Sequence, residues 1–242
     1  MATRFYFHNA LSTVVGTLPS DEQSSLTPNN TPSTNPEART INRSMNTTKG
    51  TSEVTKTCLS NATVSSQNYY FTRFVSPPLD VTSITAQTWT YSISTKQGNN
   101  NANFPVKDTN KSARVNVYVW RPSTGAKVGT VLDGSTAANV LEASATNQFS
   151  DVTTFSGALV SSMLTGDVLI SELWAAGVTQ DAASAYNNNF YYDGTVIPTD
   201  DAQETDVACY LETPQNITFP PAIVAMTNVS TKTLTDKFIT KV

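Results

Sequence analysis

The chain has 242 residues, with 15 basic against 19 acidic side chains, a net charge of −4 and only 14% charged residues. That length can bury a core without disulfides or metals, and the acidic balance leaves no surplus of positive charge to hold a phosphate backbone by counterion release. Ser, Thr and Asn make up about a third of the chain, unlike the charged surface of an ordinary cytosolic enzyme; nucleic acid is not expected as a partner.

The opening Met1-Ala2-Thr3-Arg4-Phe5-Tyr6-Phe7 lacks the apolar region of a secretory signal. No run of eighteen apolar residues follows. The expectation is a soluble protein made inside a cell, with no membrane partner. Sequons, among them those at Asn46, Asn61, Asn216 and Asn228, then carry little weight.

Between His8 and Asn68 there is no Phe, Tyr or Trp, and Pro19, Pro28, Pro32 and Pro36 crowd the first half of the stretch. Such a segment buries too little apolar surface to offset its ordering entropy. We read residues 1–67 as an extended N-terminal arm, with plain disorder as the alternative. Arg4, Phe5, Tyr6 and Phe7 form an aromatic plug at its tip, placed to bind a partner.

After Asn68 the texture changes to short β-branched and aromatic runs between turn residues. Tyr69 to Val75 predicts a strand ended by Pro77-Pro78, and Val81 to Ile93 a second. Ala113 to Arg121 is the clearest strand, with Val115, Val117 and Val119 on a core face and Asn116, Tyr118 and Trp120 on a half-wet aromatic one. A Pro122-Ser123-Thr124-Gly125 turn returns Lys127 to Leu132 antiparallel to it. Residues Ala137 to Ala145 fit a helical turn or two. Asp167 to Val178 reads as a central strand, apolar on both faces. Phe190-Tyr191-Tyr192 before Asp193-Gly194 and Asp206 to Thr213 complete the series. Even strand spacing without helical crossovers predicts an all-β fold, an antiparallel jelly-roll-like β-sandwich over residues 68–218. Residues 219–242 form a short C-terminal tail, in which Ala222 to Met226 offers an apolar contact.

The catalytic inventory is sparse. No nucleotide-binding glycine loop, zinc motif or nucleophile elbow occurs. His8 is the only histidine a Ser-His-Asp triad could use, and its usual reading is a packing or surface residue. Cys58 and Cys209 have neither CxxC spacing nor a histidine partner, so no metal site or cofactor is expected; reduced thiols are the default, with a disulfide left open. Glu172 and Glu212 lie in predicted strands, as the acid and nucleophile of a jelly-roll glycosidase would, or as solvated or ion-paired side chains. The Asp200, Asp201, Glu204 and Asp206 loop suits calcium or plain solvation. Trp89, Tyr91, Tyr118 and Trp120 form a glycan-stacking platform if exposed, and core if buried.

Several blocks together resemble a family of small tailed-bacteriophage proteins: Met1 to Phe7, Tyr70-Phe71-Thr72-Arg73-Phe74-Val75-Ser76-Pro77-Pro78-Leu79, Arg114 to Trp120, Gly166-Asp167 and Tyr210-Leu211-Glu212-Thr213-Pro214. The resemblance implies a virion β-sandwich protein with a capsid-decoration or other structural role and no catalytic residues. The expectation is a non-enzymatic capsid cement protein located in the virion after synthesis in the host cytoplasm. Its expected partners are the major capsid protein and copies of itself, with a trimer favoured because identical arms can interlock around a three-fold axis. A tail or fibre glycan-binding module is the alternative, and a jelly-roll glycoside hydrolase the third reading.

Overall fold

A computed structural model describes residues 2–23, 37–59, 67–98, 112–134, 148–178, 187–200 and 202–221. Among them there is no helix. Eleven strands form one large sheet: β1 (Thr3–Leu11), β2 (Arg43–Asn46), β3 (Val54–Leu59), β4 (Gln67–Val75), β5 (Thr88–Gly98), β6 (Ser112–Arg121), β7 (Ala126–Leu132), β8 (Phe149–Ser156), β9 (Val168–Val178), β10 (Asn187–Tyr192) and β11 (Tyr210–Thr213). The order across the sheet is β3-β10-β5-β11-β1-β2-β4-β9-β6-β7, with β8 on the other edge of β5. β5 thus branches the sheet, taking β11 opposite Thr90 to Ser92 and β10 opposite Ser94 to Gly98. Most buried apolar side chains form one large cluster, and a smaller second cluster lies apart from it. Phe7 of β1 stacks on Phe74 of β4, with centroids 4.4 Å apart, and Phe74 in turn meets Phe190 and Tyr192 of β10 edge-on.

The N-terminal arm expected over residues 1–67 does not hold for its described part, residues 24–36 and 60–66 lying outside the described residues. β1 lies inside the sheet, hydrogen-bonded to β11 on one edge and to β2 on the other. Its side chains alternate, with Thr3, Phe5 and Phe7 buried and Arg4, Tyr6 and His8 half-exposed, which is the period of a strand with one wet face. β2 and β3 fall within the aromatic-free stretch that composition assigns to the arm. They are held by ladder hydrogen bonds, which need no apolar side chain; of β2, only Met45 is fully buried. β2 also pairs in parallel with β4, at Arg43 to Phe74 and Ser44 to Val75, in a sheet otherwise antiparallel.

The predicted strands of the second half stand, with shifts. β4, β6, β7, β9 and β10 lie where the pattern puts them. The strand read over Val81 to Ile93 starts only at Thr88, and Asp206 to Cys209 precede β11 rather than joining it. Here the segment pairs instead with residues 194–196, the Gly194 amide donating to the Val207 carbonyl and the Ala208 amide to the Val196 carbonyl, and Gly194 passes so close to the Asp206 carbonyl that a Cβ would lie 2.1 Å from it. The 122–125 turn closes on Gly125 at φ 65°, where L side chains are strained. Ala137 to Ala145 and Ala222 to Met226 lie outside the described residues.

The outer face of β6 differs from its half-wet expectation. Tyr118 and Trp120 are buried with Val75, Val168 and Ile170, and Val14 and Leu18 pack over them. The segment between β1 and β2 therefore acts as a strap, whose described parts are residues 12–23 and 37–42. Trp120 Nε1 donates to the Thr17 carbonyl at 2.7 Å, and the Thr17 amide donates to the Pro122 carbonyl at 2.9 Å.

Candidate functional site

Beneath the strap lies a fully buried ion pair. β4 and β9 are each apolar runs interrupted by one charge, and their register sets Arg73 opposite Glu172. Both side chains are 0% exposed, with Arg73 Nε 3.3 Å from Glu172 Oε1. Every other polar atom of the pair finds a partner. Glu172 accepts from the Gln23 amide at 2.9 Å, Asn116 Nδ2 at 3.0 Å and the Tyr118 hydroxyl at 2.9 Å. Arg73 donates to the carbonyls of Pro19, Asp21 and Arg39 and to Asn42 Oδ1. Burial is the largest influence on Arg73 and opposes its charge, yet the nearby Tyr70, Tyr118 and Glu172 outweigh it and the guanidinium pKa rises. Burial drives the Tyr118 phenol well above its ordinary value. The pair thus clamps the strap to the sheet, and a carboxylate saturated in this way is not available to protonate a substrate.

The expected glycosidase pair does not form. Glu212 on β11 binds Arg4 Nε at 2.6 Å, and β1, β2 and β4 separate it from Glu172 on β9. Four strand spacings of about 4.8 Å far exceed the roughly 5 to 9.5 Å that joint action requires. His8 does gain a carboxylate, with Nδ1 2.8 Å from Asp193 Oδ1, but Nε2 lies 2.9 Å from the Thr48 carbonyl. A triad needs a hydroxyl at that nitrogen. The acids of the 200–206 loop that are described serve the backbone. Asp200 accepts from the Val152 amide, Glu204 from Thr199, and Asp206 from the Glu53 amide and Thr195. Among the described residues no group of three His, Cys, Asp or Glu side chains is placed to hold a metal. Cys209 is a buried free thiol, raised in pKa by burial.

The aromatic plug and platform also change place. Phe5 and Phe7 are 0% and 1% exposed in the chain's own core, so they reach no partner. Arg4 and Tyr6 face outward, where Arg4 lies over the Tyr210 ring at 4.1 Å. Trp89 and Tyr91 are core, Trp89 stacking on Phe155 at 6.0 Å, while Tyr118 and Trp120 lie under the strap. The four offer no common face to a sugar, because the two pairs are buried in separate clusters.

What the surface does offer is a groove of about 630 Å³ between the start of the strap, the end of β4 and the 164–167 turn. Leu11, Val15 and Leu164, exposed by 60%, 92% and 57%, border it with Pro77 and Pro78. Its charged residue, Asp167, is occupied by Arg121 at 2.8 Å. β4 ends at Val75 beside Ser44, so among the described residues the β4-side edge of Met45 and Asn46 has no strand against it. Sequence reading missed both clamp and groove. The signal for the clamp was the single charge inside each of two apolar strands; the groove, assembled from three distant loops, left no local signal. No protein-family model matches the chain, and no curated protein matches it.

Proposed function

We propose that the chain is a structural protein of a tailed-bacteriophage virion, a capsid cement or decoration protein. In this reading the sheet is a jelly-roll-like sandwich, its partners are the major capsid protein and copies of itself, a trimer is the favoured state, and the virion is its place. One observation carries the reading: the acids, His8 and Cys209 that might perform chemistry are engaged in the chain's own structure, while three large exposed apolar side chains, Leu11, Val15 and Leu164, border one groove. Apolar side chains held in water at a groove mark a contact surface. The low charge of the chain suits a surface that lies against other protein, and the resemblance of the Tyr70 to Leu79 and Arg114 to Trp120 blocks to phage virion proteins supplies the partner. The groove, rather than an N-terminal arm, is then the face that meets a capsid subunit.

The test has two readouts. Quantitative mass spectrometry of purified particles is expected to find hundreds of copies per virion; none would overturn the reading, and a few dozen would move the protein to the tail. Val15→Asp with Leu164→Asp is expected to abolish rebinding to stripped capsids while leaving the urea midpoint unchanged. Undiminished rebinding would show that the groove is not the contact.

A further inference from the structure

The strap carries a second cluster beside the clamp. Asp21 and Glu22 are adjacent acids that share one guanidinium, Arg39 Nη1, at 3.3 Å from Asp21 Oδ1 and 3.0 Å from Glu22 Oε1. Glu22 is only 10% exposed, and its Oε2 is buried with no donor in reach, as is Arg39 Nε. Among the described residues, the other cations of this face are already engaged. Arg73 of β4 is committed to Glu172 of β9 and to strap carbonyls, and Lys127 of β7 reaches the Gln23 carbonyl at 3.4 Å. Tyr70 of β4 and Tyr118 of β6, the remaining titratable groups on this face, have phenols pushed far up by burial. Two carboxylates with one guanidinium leave a negative charge and a bare oxygen in the contact between strap and sheet. A proton removes both defects, because a protonated Glu22 can donate to Asp21.

We infer that Glu22 is a proton-operated latch that holds the strap on the sheet while protonated and loosens it once ionised. Burial first, then its bond to Asp21, pushes the Glu22 carboxyl up to about 7, while the same bond holds Asp21 below its ordinary value; the two titrate as a pair. The sign follows from linkage. A carboxyl raised in the closed form and ordinary, near 4.5, in the open form contributes closure fully below pH 4.5 and loses it as pH rises through about 7. In the window between, opening grows by at most about tenfold per pH unit, then levels off. Ionising conditions thus uncover Tyr118, Trp120 and the Arg73–Glu172 pair, which are otherwise sealed.

Hydrogen exchange of the intact protein across pH 5 to 8.5, corrected for intrinsic rates, tests this on the Thr17 and Gln23 amides. Their protection is expected to fall several-fold to tenfold per unit up to pH 7, with no such change in β6 or β9. Glu22→Gln is expected to abolish the slope, and Asp21→Asn to move it to lower pH. A flat profile in the parent chain, or an unchanged slope in Glu22→Gln, overturns the latch. If Glu22→Gln does not fold, carboxyl NMR of the parent decides: a Glu22 midpoint near 4.5 rejects it, and one near 7 supports it. None of these outcomes depends on a virion role.

Discussion

Glu172→Gln is the most informative substitution. Both oxygens of Glu172 accept hydrogen bonds and none of its partners offers an acceptor in the observed geometry, because the Gln23 amide, Arg73 Nε, Asn116 Nδ2 and Tyr118 hydroxyl are all donors. A glutamine must present an NH₂ group to one side of that ring of donors. Asn116 can turn its amide and meet it with an oxygen, so that conflict is partly repaired. The loss of charge is not, since Arg73 stays 0% exposed beneath the strap with only neutral acceptors. Removing one partner of a buried pair costs about 3 to 5 kcal/mol, and the Asn116 repair places Glu172→Gln near about 3. Urea unfolding followed by tryptophan fluorescence measures it. Arg73→Met is expected to cost at least as much, because it also strips the donor from the Pro19, Asp21 and Arg39 carbonyls. The double variant is expected to fall short of the sum by about 1 kcal/mol or more, since its second change removes an already unpaired group. A single-variant cost below about 1 kcal/mol, or strict additivity, would refute the clamp.

Two further substitutions and a labelling experiment probe the rest of the scheme. Phe7→Ala is expected to cost about 3 to 5 kcal/mol in urea unfolding, because it empties the stack on Phe74; a neutral result would restore the free arm. Cys209, fully buried with its thiol pushed up by burial, is expected to react with a disulfide reagent only as fast as the protein unfolds, and rapid labelling of the native thiol would contradict its placement. Trp120→Phe deletes the bond to the Thr17 carbonyl and is expected to cost about 1 kcal/mol, with strap amides losing protection before those of β9; equal losses throughout would mean the strap is no separate unit.

The sequence made the second half of the sheet readable because its strands carry their own signal. Val115, Val117 and Val119 alternate, and Tyr69 to Val75 stops at a proline pair. The first half hid for two physical reasons. β1 does alternate, Phe5 and Phe7 against Arg4 and Tyr6, but over only a few residues before an aromatic-free stretch, so composition outweighed period. β2 offers one apolar side chain, Met45, and is held in place by backbone pairing to two neighbours, a property that residue types do not report. Trp89, Tyr91, Tyr118 and Trp120 were legible as packing or platform; the main core takes the first two, and only the strap's path decides for the other two. The clamp was half legible: a lone charge in an apolar strand needs a partner, but the identity of that partner is fixed by register.

The way the first strand meets residues 210–219 bears on how the chain can bind anything. The Ile217 amide donates to Thr3 Oγ1 at 2.8 Å, Phe219 meets Phe5 edge-on at 6.1 Å, and β11 is paired directly to β1. Drawing residues 3–11 out to reach a neighbour would open a sheet between β11 and β2 and expose Phe5, Phe7 and their partners, a loss of several buried aromatic side chains at about 1.5 to 3 kcal/mol each. No contact of ordinary size repays that readily. A binding role therefore falls to parts of the molecule outside the ladder or at its margin, and the exposed apolar residues that border the groove lie there. Val15 belongs to the strap, Leu164 to a turn, and Leu11 to the last position of β1, where the register with β2 is already irregular. Three of the exposed apolar residues thus meet at the groove, and the strap that borders it is the element that can move without breaking the ladder.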